Sequence, residues 1–260
     1  MIRSFFLSLI AISISMYAEQ RFSFPKEYAK EEALNIHALD EELALLKKEP
    51  FIAVSLGENC FPALHLRSHD IRIRSFPFDW DITPFSALYA ILANNFEGFL
   101  DLKYLAINAK ENTVYNKRYG CKFNHDFDIN DWVDGPNGLT PKHEDDLNLY
   151  QSVLDRYHRR IARFYAIFDL GIPIYLFRRV IRAEEARKLH TLLSKMFPES
   201  TFTLVCIQDE RHEHPSAWKD MPENIRYIRL PHPIDHKLRH KNPHATNLFR
   251  ELGLLKELKK

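Results

Sequence analysis

Phe51-Ile-Ala-Val-Ser-Leu-Gly-Glu-Asn-Cys60 is the stretch on which the fold turns. Its first four residues are apolar and read as a buried strand. Ser55, Gly57 and Asn59 then interrupt the run, and 61–67 opens a helix. The unit is strand, loop, helix, with Cys60 at the mouth of the junction. A thiol beside a helix N-terminus has its thiolate favoured by the helix dipole and by free main-chain N–H groups. The same position also suits a small buried hydrophobe at the start of a core helix, since free cysteine is among the most buried residue types. Cys60 therefore enters as a candidate nucleophile with packing as the alternative.

The pattern repeats downstream. A helix over 144–170 is ended by Gly171, a strand occupies 173–177, and a helix over 183–197 is ended by Pro198. Strands follow at 201–207 and 225–230, and an amphipathic helix at 247–259 closes the chain. Upstream, Leu34, Ile36, Leu39, Leu43 and Leu46 give 31–48 a helical spacing. Between the halves, 71–75 alternates like a short strand, and Pro77-Phe-Asp-Trp80 reads as an aromatic turn. Thr83-Pro84 starts a helix that runs to about Asn95, with Thr83 as N-cap. The segment 101–127 reads as a hairpin or irregular strands, and 128–142 as a loop. The expected fold is α/β: a mostly parallel sheet flanked by helices, with an inserted hairpin and loop region around 100–142.

Composition bounds the function. A length of 260 residues suits one domain, taken here as 19–260. A net charge of +1 gives no basic surface for nucleic acid. Seven glycines, with no G-x-G-x-x-G and no Walker loop, argue against a phosphate-cradling fold, and no cofactor is expected. Residues 1–18 have the form of an export signal: Arg3, then an apolar stretch over 5–15 too short to span a bilayer, then a cleavage point near Ala18. The mature chain would begin at Glu19, carry no stable membrane span, and be secreted or periplasmic. Three cysteines leave at least one free thiol or an intermolecular bridge; Cys121 and Cys206 could pair, leaving Cys60 free.

In α/β sheets, ligands gather beyond the carboxyl ends of the strands. Cys60, Arg178, Arg179, Gln208, Asp209, Pro231 and His232 all follow strands and could converge there. A cysteine nucleophile needs an imidazole to take or balance its proton, and the imidazole needs a third group to fix its tautomer. His125, within Lys122-Phe-Asn-His-Asp-Phe127, is the candidate base. Asp126 flanks it, but neighbours in an extended segment point to opposite faces, so a distant residue suits the orienting role better. His232, His236, His240 and His244 recur every fourth residue like a metal ridge, yet Pro233 and Pro243 prevent one helix through all four. They read as a solvated loop, and no metal is expected.

Ser55-Leu-Gly-Glu-Asn-Cys60, Pro77-Phe-Asp-Trp80, Phe96-Glu-Gly-Phe99, His125-Asp-Phe127, Arg159-Arg-Ile-Ala-Arg-Phe164 and the strand ending in Arg178 occur in this order. In these blocks, over about 50–230, the chain resembles the bacterial family of papain-like cysteine peptidases. The resemblance implies Cys60 as nucleophile, His125 as its partner and Asp79 as a third member. A peptide or acyl-type substrate would lie against Asn59, Trp80, Asp126 and Arg178. The short papain signature C-G-[SA]-C-[WY] is absent. Two other readings stay open. One is a non-catalytic binding protein holding an anionic or sugar-like ligand through Arg178 and Asp79. The other is an esterase-like hydrolase: the junction also resembles that of Gly-Asp-Ser esterases, with Cys60 or Ser55 replacing serine and Asp235 and His244 as late partners.

Overall fold

The computed structural model describes residues 36–209, 215–230 and 243–255. In chain order these give α1 (Ile36–Leu46), β1 (Ile52–Ser55), α2 (Phe61–Ser68), α3 (Phe85–Ala93), β2 (Leu105–Asn108), β3 (Thr113–Asn116), β4 (Lys122–Phe123), β5 (Trp132–Gly135) and β6 (Gly138–Pro141). Then come α4 (Glu144–Ala166), β7 (Ile174–Arg179), α5 (Ala183–Met196), β8 (Phe202–Asp209), β9 (Ile225–Leu230) and α6 (Pro243–Glu251).

The four apolar runs expected as strands form one parallel sheet in the order β1-β7-β8-β9. Register aligns Ile52 with Ile174, Leu176 with Leu204, and Cys206 with Tyr227. Alternate residues enter two cores. Val54, Leu176, Leu204 and Cys206 face the layer of α1, α3, α4 and α5. Ala53, Phe177, Val205 and Ile207 face α2 and α6, meeting Phe61, Leu66, Leu248 and Phe249. A parallel sheet covered on both faces needs apolar side chains on both, which is why the inner strands read as largely apolar runs, while the edge strand β9 carries Arg226 and Arg229. Cys60 thus precedes an eight-residue helix packed on a single sheet. The likeness to papain-type enzymes is one of residues; among the described residues there is no long central helix carrying the cysteine.

The motif aromatics build the centre of the larger core. Phe78 stacks on Phe96 with ring centres 5.4 Å apart, and Phe99 meets Tyr157 of α4 edge-on at 5.6 Å. Such pairs add about 0.5–1.5 kcal/mol each beyond area burial. The blocks 77–80 and 96–99 are therefore fixed by packing whatever chemistry they also serve.

Three local expectations are corrected. The stretch 71–75 forms no strand. Its first two N–H groups both cap α2 by donating to Leu66 O, Ser75 O accepts from Arg163, and its arginines turn to carboxylates. Thr83 is not the N-cap of α3; Pro84 holds that place. Thr83 instead bridges loops, its N–H donating to Glu58 O and its carbonyl accepting from Arg178. The expected loop 128–142 contains the hairpin β5–β6, whose tip packs so closely that a Cβ on Gly138 (φ +103) would lie 2.2 Å from Leu102 O. Within 101–127, β2, β3 and β4 make an antiparallel sheet. The export segment at 1–18 and the histidine-bearing stretch from Pro231 to 242 lie outside the described residues.

Candidate functional site

The loop leaving β1 turns on Gly57 and Glu58, both left-handed at φ +76 and +83. Gly57 is needed twice over: for that φ, and because a Cβ there would come within 3.1 Å of Phe78 O and 3.3 Å of the Thr83 hydroxyl. The Ser55 hydroxyl accepts the Gly57 N–H, tightening the turn. Glu58 has no such freedom, nor does β-branched Val180 (φ +49), the residue after β7. Left-handed non-glycine residues cost about 1–3 kcal/mol each and gather where structure over-determines the backbone, commonly at functional sites.

Cys60 follows this turn, half-buried at the N-cap of α2. Asn59 accepts the Phe61 N–H at 2.8 Å, and Pro62 has no N–H to offer. The Phe61 N–H is therefore engaged by the Asn59 side chain. Arg179 lies over the Phe61 ring, 4.9 Å from its centre, and reaches Glu58 at 3.5 Å. Cys121 and Cys206 are separate, fully buried free thiols and do not pair. Burial pushes both thiols up, well away from the thiolate.

Arg178 points the other way. It is 1% exposed, and its two terminal nitrogens donate to Leu56 O at 2.8 Å and Thr83 O at 2.7 Å. Burial lowers its pKa from the ordinary arginine value to about 10. It ties the loop after β1 to the loop before α3, and its guanidinium is committed to main-chain carbonyls.

The aromatic turn carries a second polar group. Asp79 is fully buried, ion-paired with Arg72, and accepts the Phe76 N–H at 3.1 Å. Burial raises it from 3.8 to about 6, against the opposing pull of Arg72 and that N–H. Arg72 also lies over Trp80, 5.2 Å from the ring centre. Trp80 meets His125 edge-on at 6.1 Å. His125 is exposed, whereas its neighbour Asp126 turns inward to Arg156 (3.1 Å) and the Tyr157 hydroxyl (2.8 Å). Both residues lie in the turn over 124–126 that follows β4, not in the extended segment expected, and the turn sends the two side chains apart. The Tyr157 hydroxyl also lies 2.8 Å from Asp81, another fully buried carboxyl.

Three sequence blocks thus converge. Thr83 and Gly57 join 76–83 to the loop of Cys60, and the bridge of Ile82 with Lys122 joins 76–83 to the segment of His125. No hydrogen bond links Cys60 to His125 in this structure, nor Asp79 to an imidazole among the described residues; Trp80 stands next to His125. Arg72, Asp81, Tyr157, Arg160 and Glu58 were not singled out from sequence. The signal for Asp81 is the pair of aspartates two apart in an otherwise apolar and aromatic turn. No group of three or more metal-ligating side chains occurs among the described residues, and none of their helices is long and apolar enough to cross a membrane.

Residues 52–207 match the sequence model of the family described as "Putative papain-like cysteine peptidase (DUF1796)". The chain is also similar to "Uncharacterized protein R408" of Acanthamoeba polyphaga mimivirus, 25% identical over 204 residues that cover 68% of this chain and 86% of the relative. No solved structure matches. With more than half of its length matched, from the strand before Cys60 through most of β8, this chain belongs to the papain-like cysteine peptidase family so described.

Proposed function

We propose that the chain is a thiol-dependent acyl hydrolase, a peptidase or related transferase, with Cys60 as nucleophile and His125 as its proton partner. The observation that carries this reading is the placement of Cys60. It is the one half-exposed thiol of three, at a helix N-terminus, on the carboxyl edge of a parallel sheet, beside a strained turn. Membership of a cysteine peptidase family supports it. Cys60 sulfur would attack the carbonyl carbon of a peptide or acyl substrate. The carbon–sulfur bond forms, the bond to the leaving amine or alkoxide breaks, and His125 supplies the leaving group's proton. Water or another acceptor then releases the acyl group.

His125 and Trp80 would close on Cys60 when substrate binds, since catalytic hydrogen bonds are often long before substrate arrives. Asn59 would orient the turn, and Asp79 would act through Arg72 and Trp80. The binding-protein reading loses a ligand-holding group, because Arg178 is turned onto carbonyls. The esterase-like reading rests on Asp235, which lies outside the described residues, and on His244 in α6.

A peptidyl or acyl electrophile that traps thiolates tests the proposal. Cys60 should be labelled alone, with Cys121 and Cys206 untouched in the folded protein. Cys60→Ala should abolish labelling and His125→Ala should slow it. Labelling no faster than that of a free thiol, with no effect of His125→Ala, would reject it. Export belongs to the same proposal: N-terminal sequencing of the mature protein should read from Glu19.

A further inference from the structure

We propose that Asp81 and Tyr157 position His125 through a proton-sharing clamp on Asp126: Asp81 keeps its proton and donates it to the Tyr157 oxygen, while Tyr157 donates its own to the Asp126 carboxylate. The argument is one of counting. The phenol of Tyr157 has a single proton, yet its oxygen lies 2.8 Å from an oxygen of each carboxyl. Were both aspartates ionised, one of those contacts would set lone pairs against lone pairs in a buried site. A second proton is required, and the surroundings decide where it sits. Asp126 is held by Arg156 at 3.1 Å, so its charge has a partner. Asp81 is fully buried, and its second oxygen has no hydrogen-bond partner. An ionised Asp81 would be a bare charge in the core; a protonated one is a donor aimed at Tyr157.

The groups around Asp81 agree. Asp79 lies two residues earlier on the same loop, Asp126 faces it from the segment after β4, Cys121 from the residue before β4, and Tyr157 and Arg160 from α4. Burial foremost, then the Asp126 charge, raises Asp81 well above the usual carboxylate range, outweighing Tyr157 and Arg160. The clamp joins the loop of Trp80 to the segment of His125 through one side chain of α4. Raising the pH through the folded-state pKa of Asp81 removes its proton, so the clamp holds below that pH and opens above it.

The inference rests on the proposed function only for its catalytic consequence, since the clamp can be read without substrate. In aspartate labelled with carbon-13, the Asp81 carboxyl, assigned by its loss in Asp81→Asn, should read as protonated at neutral pH. The His125 imidazole signal, shifted by the Trp80 ring and assigned with His125→Ala, should lose that shift in Tyr157→Phe. Asp81→Asn should keep it, and keep it to higher pH than the wild type, because the amide donates to Tyr157 without titrating. An ionised Asp81 at neutral pH, an unchanged His125 signal in Tyr157→Phe, or a lost signal in Asp81→Asn would each overturn the clamp. If Tyr157→Phe fails to fold, the carboxyl reading and Asp81→Asn still decide. His125→Ala leaving Cys60 labelling unaltered would instead remove the catalytic reading and leave the clamp standing.

Discussion

Replacing Asp79 with asparagine isolates what burial imposes on the aromatic turn. Burial raises this carboxyl from 3.8 to about 6, even with Arg72 and the Phe76 N–H drawing it down. The folded protein therefore binds the proton more tightly than the unfolded chain does. The stability linked to that proton is fully present below 3.8 and is lost as pH rises through about 6. Roughly two pH units at about 1.4 kcal/mol each make the loss about 3 kcal/mol. Asparagine has nothing to titrate. The stability of the wild type relative to Asp79→Asn should fall by about 2 kcal/mol between about pH 4 and about pH 7, most of that total. Guanidinium unfolding of both proteins across that window measures it. Arg72 loses its carboxylate in the variant while still lying over Trp80, but arginine stays charged throughout, so this offsets the curves without tilting them. Two curves that stay parallel through the window would refute the reasoning.

Gly57→Ala forces a side chain into a left-handed turn and to 3.1 Å from Phe78 O, and should cost about 1–3 kcal/mol in thermal or chemical unfolding while altering the rate of Cys60 alkylation. Arg178→Met strips donors from the Leu56 and Thr83 carbonyls, worth about 3–6 kcal/mol together. It also removes a buried charge whose pKa burial lowers to about 10, a relief of about 3 kcal/mol. The net expectation is a loss of up to about 3 kcal/mol in unfolding free energy. Substrate affinity should change only as far as the turn of Cys60 shifts, and a loss of affinity with stability intact would contradict the bracing role.

The sheet was legible because its strands are short, largely apolar runs set off by residues that strands disfavour. Gly57 follows β1, and Pro173 precedes β7. Where pattern and partner part company, legibility failed. Ile71 and Ile73 alternate with Arg72 and Arg74 as a strand would, but no strand among the described residues pairs with them, and the arginines are drawn to Asp79 and Glu42. The hairpin β5–β6 hid in polar residues because its burial rests on two side chains, Trp132 and Leu139. Asp81 and Tyr157 stand 76 residues apart, and nothing local in either segment announces the other. Their meeting is a product of packing α4 against the aromatic turn.

Arg178 and Arg179 show how much further the sequence could have been taken. Both end the same strand at the expected edge of the sheet, so position alone does not choose between them. Strand periodicity does. Successive residues face opposite sides, and Arg178 shares a side with Leu176 and Val54, in the core closed by α3, α4 and α5. Arg179 shares a side with Phe177 and Ala53, the side covered by α2. Cys60 opens α2, so the arginine that accompanies the cysteine is Arg179, lying over Phe61 and reaching Glu58, while Arg178 braces the turn from beneath. The division of labour follows from two adjacent residues of one type, separated by the two-residue period of a strand and by the choice of which helix covers each face.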